Sequence, residues 1–211
     1  MNNNILKIYK KTGALLNGHF VLSSGMHSPV YLQSALVLSV PKYLKIIASA
    51  LVNEINKVIS TDLIDVVVSP AMGGIIIGSK IGEELDKKAI FLERVNKEFT
   101  FRRGFSINRN ERVLIIEDVI TTGKSSKECI ACIKNYGGIV LAVASIIDRS
   151  EKVLNLGSKY ISLLKIKAPV YSSDKLPINF KWIGFIIKSF PEAKIIHIER
   201  NPMAVCWSNY K

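Results

Sequence analysis

The chain has 211 residues, of which 48% are hydrophobic and 22% charged, as expected for a globular protein with a packed core. Lys and Arg exceed Asp and Glu by 29 to 17, and the resulting net charge of +12 favours a polyanionic partner: nucleic acid, an acidic membrane surface or a multiply phosphorylated substrate. Three cysteines argue against a disulfide framework. The apolar runs are too short to span a membrane and the N-terminus lacks the pattern of a secretory signal, so we expect a cytoplasmic protein.

In chain order, the predicted elements alternate between amphipathic stretches and short apolar runs. Apolar residues at three- and four-residue spacing predict a core-facing helix over 43–59. Helices are also predicted over 75–85 and 126–136, and strands over 63–69, 89–93, 112–117, 139–147 and 160–166. Between them, residues 99–109 (FTFRRGFSINR) are basic and aromatic, without a helical period. The alternation predicts an α/β protein with a parallel sheet covered by helices, in which ligands bind beyond the carboxyl ends of the strands.

One segment, residues 113–126 (VLIIEDVITTGKSS), carries most of the chemical information. Its apolar strand ends in Glu117 and Asp118, whose carboxylates can accept hydrogen bonds from the two hydroxyls of a ribose. The loop from Thr121 to Ser125 then opens a helix, where free backbone N–H groups, hydroxyls and the helix dipole can bind a phosphate, and Gly123 allows close approach. The segment predicts a ribose 5-phosphate site; the alternative is a plain strand–helix turn with two surface acids.

The stretch IIEDVITTGKSS resembles the phosphoribosyl pyrophosphate (PRPP) signature of type I phosphoribosyltransferases. Residues 18–33 (GHFVLSSGMHSPVYLQ), 69–75 (SPAMGGI), 91–105 (FLERVNKEFTFRRGF) and 146–149 (IIDR) resemble orotate phosphoribosyltransferases in the same order. The resemblance covers about residues 1–176. It implies the type I phosphoribosyltransferase fold: a central, mostly parallel sheet flanked by helices, with a small N-terminal hood and a mobile lid loop.

The resemblance also implies the reaction, in which the 5-phosphoribosyl group of PRPP passes to orotate, giving orotidine 5′-monophosphate and pyrophosphate for UMP biosynthesis. Lys97 and Asp118 would be catalytic, and Thr121 and Arg149 would contact orotate, whose carboxylate suits the arginine fork. The residues implied to bind PRPP are Arg94, Lys97, Arg102, Arg103, Glu117, Asp118, Val119, Ile120, Thr121, Thr122, Gly123, Lys124 and Ser125. Mg²⁺ would be held mainly through PRPP, so no metal site made by the protein is expected.

Arg94 would match the arginine on the pyrophosphate side of this family's site. Lys97, Arg102 and Arg103 would belong to the lid, which in this family closes over the site of a neighbouring subunit of a homodimer. Cations there would stabilise the charge of the departing pyrophosphate, and the closed lid would exclude water. The alternative is a solvated basic loop. Many family members carry lysine where this chain has Ser23 and Met72, which we interpret as a subtype. The expected partners are the two small substrates, with neither nucleic acid nor a membrane.

Beyond residue 176 the chain departs from this family. Residues 179–211 resemble a sulfotransferase segment that binds the 3′-phosphate of the sulfonate donor, with Arg200 and Ser208 as the phosphate contacts. The other phosphate loop of that family is absent, so we interpret 177–211 as an atypical tail that packs loosely or adds an edge strand. Two alternatives remain on the main scaffold: a purine-type phosphoribosyltransferase, against which Arg149 and residues 23–31 argue, and a regulator that binds PRPP without catalysis.

Two cysteines on the predicted helix after the signature, Cys129 and Cys132, form a CxxC pattern. A redox or metal role would need partners, and none lie near in the sequence. Their spacing places them on the buried face of that helix, so we expect both in the core.

Overall fold

The structure, a computed structural model, describes residues 2–21, 27–150, 152–166, 194–199 and 204–209. The chain divides into two compact units, one formed by residues 1–16 and 31–168 and the other by residues 17–30 and 169–211. No helix among the described residues is both long enough and apolar enough to cross a membrane.

A six-stranded sheet organises the first unit, with the strand order β5-β4-β3-β6-β7-β8. Its strands are β3 (Val66–Pro70), β4 (Lys88–Val95), β5 (Glu98–Phe101), β6 (Arg112–Ile120), β7 (Ile139–Asp148) and β8 (Lys159–Lys165). The pairs β3–β4, β3–β6, β6–β7 and β7–β8 are parallel, and the edge pair β4–β5 is antiparallel. The predicted mostly parallel sheet is therefore confirmed.

The helices that cover this sheet account for its continuous apolar strands. The helices of this unit are α1 (Asn2–Lys11), α2 (Ser34–Leu38), α3 (Pro41–Asn56), α4 (Gly73–Leu85) and α5 (Lys124–Asn135). Every residue of β3 is buried, as is the run from Val113 to Glu117 in β6, because helices α4 and α5 both pack against these strands. Cys129 and Cys132 lie in the core cluster beneath α5, as predicted, and burial raises the pKa of both thiols.

Glycines on one face of α4 allow this helix to lie very close to the sheet. A Cβ added to Gly74 would lie 2.6 Å from the carbonyl oxygen of Ile116, and one added to Gly78 would lie 1.9 Å from Ser69 Oγ. Real Cβ atoms essentially never make contacts below 3.0 Å. The close approach brings the first residues of α4 to the carboxyl ends of β3 and β6.

The predicted boundaries differ from the observed ones mainly around the signature. β6 continues to Ile120 instead of ending at Glu117, because Val119 and Ile120 pair with Ile147 and Asp148 of β7. Helix α5 begins at Lys124, two residues before its predicted start, and is followed by Gly137 at φ +83° in the predicted glycine stop.

Five elements outside the predicted pattern lie in the N-terminal third and at the sheet edge. They are helices α1 and α2, the strand β5, and the strands β1 (Leu15–Val21) and β2 (His27–Leu32), which form a two-stranded sheet. Ser23 lies outside the described residues.

The C-terminal segment contains β9 (Lys194–Glu199) and β10 (Ala204–Asn209), which pair antiparallel with Ser208 opposite Ile195. The expected strand before Arg200 is therefore present as β9, while Arg200 itself lies outside the described residues. β9 and β10 form a two-stranded sheet of their own.

Candidate functional site

The two acids of the signature lie near the carboxyl end of β6, where the sheet meets the first turns of α4 and α5. Glu117 is 6% exposed, and Ser126 Oγ donates a hydrogen bond of 2.8 Å to its Oε1. Burial raises the pKa of Glu117 to about 7; the neighbouring Asp118 carboxylate adds to the rise, while the Ser126 hydrogen bond and the Arg94 charge oppose it. Near neutral pH this carboxyl group can therefore exchange a proton.

Asp118 lies against the N-terminus of α4. Burial raises the pKa of its carboxyl group, and hydrogen bonds from the backbone N–H groups of Val119 and Asp118 itself oppose that rise. A Cβ added to Gly73, the first residue of α4, would lie 2.5 Å from Asp118 Oδ1 and 2.7 Å from Oδ2. Only glycine at position 73 leaves room for the carboxylate in this position.

The loop between β6 and α5 leads directly into the N-terminus of a helix. Thr121 and Thr122 are exposed, and Gly123 has φ +72° immediately before the helix begins. The Lys124 N–H donates to Thr122 Oγ1 at 3.3 Å. The first N–H groups of α5 have no partner within the helix, so with the helix dipole they favour an anion at this loop. The predicted phosphate ligands from Thr121 to Ser125 thus share one helix N-terminus.

The two predicted orotate contacts come from neighbouring parallel strands. Ile120 pairs with Asp148 in the register of β6 and β7, and the Arg149 N–H donates to the Ile120 carbonyl oxygen at 2.8 Å. Thr121 and Arg149 are consequently adjacent along the carboxyl edge. Arg149 is 5% exposed, and burial lowers the pKa of its guanidinium group.

The segment predicted as the lid begins as a β-hairpin formed by β4 and β5. Asn96 and Lys97, at φ +51° and +73°, form the two-residue turn between the paired residues Val95 and Glu98. Lys97 is exposed in this turn. The part of the basic aromatic segment nearest the turn is therefore an edge strand.

Arg94 connects this hairpin with the phosphate loop. Its guanidinium carbon lies 4.1 Å from the centre of the Phe99 ring, and its nitrogens donate to the Lys97 carbonyl oxygen at 2.8 Å and to Ser125 Oγ at 3.4 Å. It also forms an ion pair with Glu128 in the second turn of α5. The structure thus brings Arg94, the turn and the loop together.

Arg102 and Arg103 form ion pairs within the predicted lid segment. Both form ion pairs with Glu93 of β4, Arg102 at 3.2 Å, so in this structure their charges are directed to a carboxylate of the hairpin itself. Sequence reasoning assigned no role to Glu93, Ser126, Glu128 or Gly73. The sequence contains a signal for two of these residues. Gly73 lies in the SPAMGGI stretch, and Glu128 follows Lys124 by four residues on the same helix.

Two carboxylates, Glu117 and Asp118, are the acidic side chains that the signature brings to the carboxyl edge of the sheet. Among the described residues, no group of three or more His, Cys, Asp or Glu side chains could hold a metal ion. Two neighbouring carboxylates, one of them with a pKa near 7, suit the hydroxyls of a sugar better than a metal cage. A divalent cation fits this site when most of its ligands are oxygens of the bound substrate.

Comparison with known proteins adds a curated relative and two solved structures. The chain is 46% identical over 173 residues to the orotate phosphoribosyltransferase of Parvibaculum lavamentivorans, covering 82% of this chain and 89% of that protein. It resembles the crystal structure of orotate phosphoribosyltransferase from Aeropyrum pernix with a TM-score of 0.63 and 26% identity, covering 77% of this chain and 94% of that one. The adenine phosphoribosyltransferase of Rhodothermus marinus, at 22% identity and a TM-score of 0.60, covers 78% of this chain and 100% of that one and shares the fold.

A family model described as "Sulfotransferase family" matches residues 103–211, just over half of the chain. Within that range, β6, β7 and β8 belong to the six-stranded sheet, and α5 packs against it. The remainder of the match includes β9 and β10, the part of the chain for which the sequence predicts a sulfotransferase-like tail.

Proposed function

The chain belongs to the orotate phosphoribosyltransferase family, and from this membership we infer that it transfers the 5-phosphoribosyl group of PRPP to orotate in pyrimidine biosynthesis. The products are orotidine 5′-monophosphate and pyrophosphate. The assignment of the site rests on the order in which two acids, a loop and a helix follow one another at the end of β6. In this order, two carboxylates precede a loop and a helix N-terminus that can bind phosphate.

The phosphorylated pentose is proposed to lie across this edge, with its hydroxyls on Glu117 and Asp118 and its 5-phosphate on the loop from Thr121 to Ser125. The carboxylates accept hydrogen bonds from the two ribose hydroxyls, while the N–H groups at the start of α5 donate to the phosphate. Val119 and Ile120, which continue β6, set the distance between the acids and the loop.

Transfer requires a bond to break at the anomeric carbon as pyrophosphate leaves, and the ribose passes through a state that resembles an oxocarbenium ion. Arg94 supplies positive charge beside the loop of its own chain, and Lys97, at the tip of the hairpin, supplies it at the site that the hairpin reaches. Stabilising the leaving group's charge lowers the barrier selectively. Arg102 and Arg103 can contribute after they release Glu93. Mg²⁺ would be held mainly through PRPP and would neutralise phosphate charge.

Orotate is proposed to lie beside Thr121 and Arg149, whose positions are fixed by the pairing of β6 with β7. A guanidinium group offers two parallel donors to the orotate carboxylate, a group that purine bases lack. This difference, together with 46% identity to an orotate enzyme, favours the orotate reaction over the purine-type alternative.

We further propose a cytoplasmic homodimer in which the hairpin reaches the site of the neighbouring subunit, and a chain organised as an enzyme domain over 1–176 followed by a tail over 177–211. The odd number of cysteines, which is normal in a reducing cytosol, supports the cytoplasmic location, and the chemistry of a closing lid supports the homodimer. The end of the family resemblance near residue 176 and the separate sheet of β9 and β10 support the second. The tail's resemblance to a donor-binding half-site is not proposed as a second activity, because one phosphate loop of that site is missing.

The experiment that tests this function follows orotate absorbance with the full chain, PRPP and Mg²⁺. We expect consumption that depends on both additions, and a strong loss of rate in Asp118→Asn with unchanged thermal unfolding. Consumption of adenine or hypoxanthine in place of orotate would favour the purine-type reaction. PRPP binding without turnover of any base would favour the regulator.

A further inference from the structure

The buried hydroxyl of Ser126 connects α5 to the first acid of the signature. Ser126 is 1% exposed and is the third residue of α5. Its Oγ lies 2.8 Å from Glu117 Oε1, and both side chains are buried. This is a contact between a strand and the helix that follows it, made where the phosphate loop ends.

Helix formation does not explain a serine at this position. The residue that precedes α5 is Gly123, and Lys127 N–H bonds to its carbonyl oxygen at 2.9 Å, so the helix begins without help from the Ser126 side chain. Alanine is a better helix former than serine, and a methyl group avoids burying a polar atom. The hydroxyl instead turns toward β6, where Glu117 is its hydrogen-bond acceptor.

The hydrogen bond has a consequence for the orientation of the carboxylate. It engages Oε1 and so fixes the rotation of the carboxyl group, which leaves Oε2 as the acceptor for a ligand. We propose that Ser126 is a positioning residue for phosphoribosyl transfer, which acts by holding the Glu117 carboxylate in the orientation that accepts a ribose hydroxyl. The inference rests on the function proposed above and adds to it a residue outside the predicted ligand set.

Charged and titratable groups on several elements surround Glu117. They are Asp118 on the same strand, Arg94 on β4, Cys129 on α5 and Tyr160 on β8. Burial causes the largest change and raises the pKa of Glu117, and Asp118 raises it as well. The Ser126 hydrogen bond and the charge of Arg94 lower this pKa, but by less than burial raises it. Removing the hydroxyl therefore raises this pKa further and reduces the fraction of Glu117 that is ionised near pH 7.

The test compares Ser126→Ala and Ser126→Thr with Ser49→Ala in the full chain. Ser49 makes a matched control because its hydroxyl donates to Glu84 Oε1 at 2.9 Å, a serine–glutamate bond between α3 and the C-terminal end of α4. We expect Ser126→Ala to lower kcat/KM for PRPP by about ten-fold or more, the loss typical of a buried hydrogen bond to a charged group. The acid limb of its pH profile should move to higher pH, Ser126→Thr should recover most of the loss, and Ser49→Ala should match the wild type.

A direct titration of the Glu117 carboxyl group by NMR separates this inference from the proposed function. A wild-type chain that consumes no orotate would refute the function, whereas the titration reports on Ser126 whatever the rate. If Ser126→Thr disturbs the packing, a double variant takes its place. In a chain that already carries Glu117→Gln, Ser126→Ala should cause no further loss of kcat/KM. The inference is overturned by an unshifted Glu117 titration in Ser126→Ala, by an unchanged pH profile, or by an equal effect of Ser49→Ala.

Discussion

Gly73→Ala isolates the contact between α4 and the second acid of the signature. The added Cβ would lie 2.5 Å from Asp118 Oδ1, about 0.9 Å inside the 3.4 Å at which ordinary contact begins. Gly73 has no positive φ, so alanine meets no backbone strain there. The carboxylate of Asp118 has to move, either by rotating its side chain or by shifting away with β6.

The expected magnitude follows from this displacement. A shift of about 1 Å in a group that contacts the substrate can cost about a hundred-fold in rate. We therefore expect kcat/KM for PRPP to fall by about two orders of magnitude, equivalent to about 2.7 kcal/mol of transition-state stabilisation. The fold should remain, because alanine in a helix is favoured over glycine by about 0.5–1 kcal/mol, a gain that offsets part of the crowding.

The assay combines orotate consumption with thermal unfolding, and Gly78→Ala provides the comparison. In Gly78→Ala, the added Cβ would lie 1.9 Å from Ser69 Oγ, a contact away from Asp118. This variant should therefore lose more thermal stability than kcat/KM per folded molecule. Gly73→Ala should lose more kcat/KM than thermal stability. Wild-type turnover by a stable Gly73→Ala chain would refute the placement of Asp118 against the ribose.

Three further predictions concern the base, the leaving group and the titration of the buried acid. Arg149→Ala should raise the KM for orotate by about ten-fold or more and that for PRPP much less, since a charge-assisted bond is lost; an equal rise in both would place base recognition elsewhere. Lys97→Asn, which suits the turn at φ +73°, should lower kcat by about a hundred-fold without a change in melting temperature, and a wild-type kcat would remove Lys97 from catalysis. Because the pKa of Glu117 is raised from 4.5 to about 7, the folded state binds more protons than the unfolded state between these values, and the free energy of unfolding should fall as pH rises through this window. Urea unfolding at pH 5 and pH 8 should show that fall, by up to about 3 kcal/mol, in the wild type but not in Glu117→Gln; parallel pH dependences would contradict the buried-acid assignment.

Much of the site could be predicted because its chemistry is contiguous in the chain. The two acids and the phosphate loop lie within residues 113–126, so a strand that ends before a helix suffices to bring them together. The central strands were recognised for a similar reason. Parallel strands buried on both faces are continuous apolar runs, which are visible without any knowledge of their neighbours.

Elements at the margins of the sheet were predicted less well. The antiparallel strand β5 is only four residues long and lies in a basic aromatic segment, where side chains give little periodic signal. Its position depends on the turn at Asn96 and Lys97 and on pairing with β4. The ion pairs of Arg102 and Arg103 with Glu93 follow from that pairing, and residue spacing contains no information about them.

The sequence by itself determined which groups can bind a phosphorylated pentose, since carboxylates, loop and helix start follow one another in a single segment. Tertiary structure decided how those groups are held: Gly73 against Asp118, Ser126 on Glu117, and Arg94 beside Ser125. The first and third of these contacts join residues 45 and 31 positions apart, and the second depends on how α5 folds back on its strand. Such contacts arise from packing distance and burial, which are properties of the folded sheet and its helices and not of any local stretch of chain.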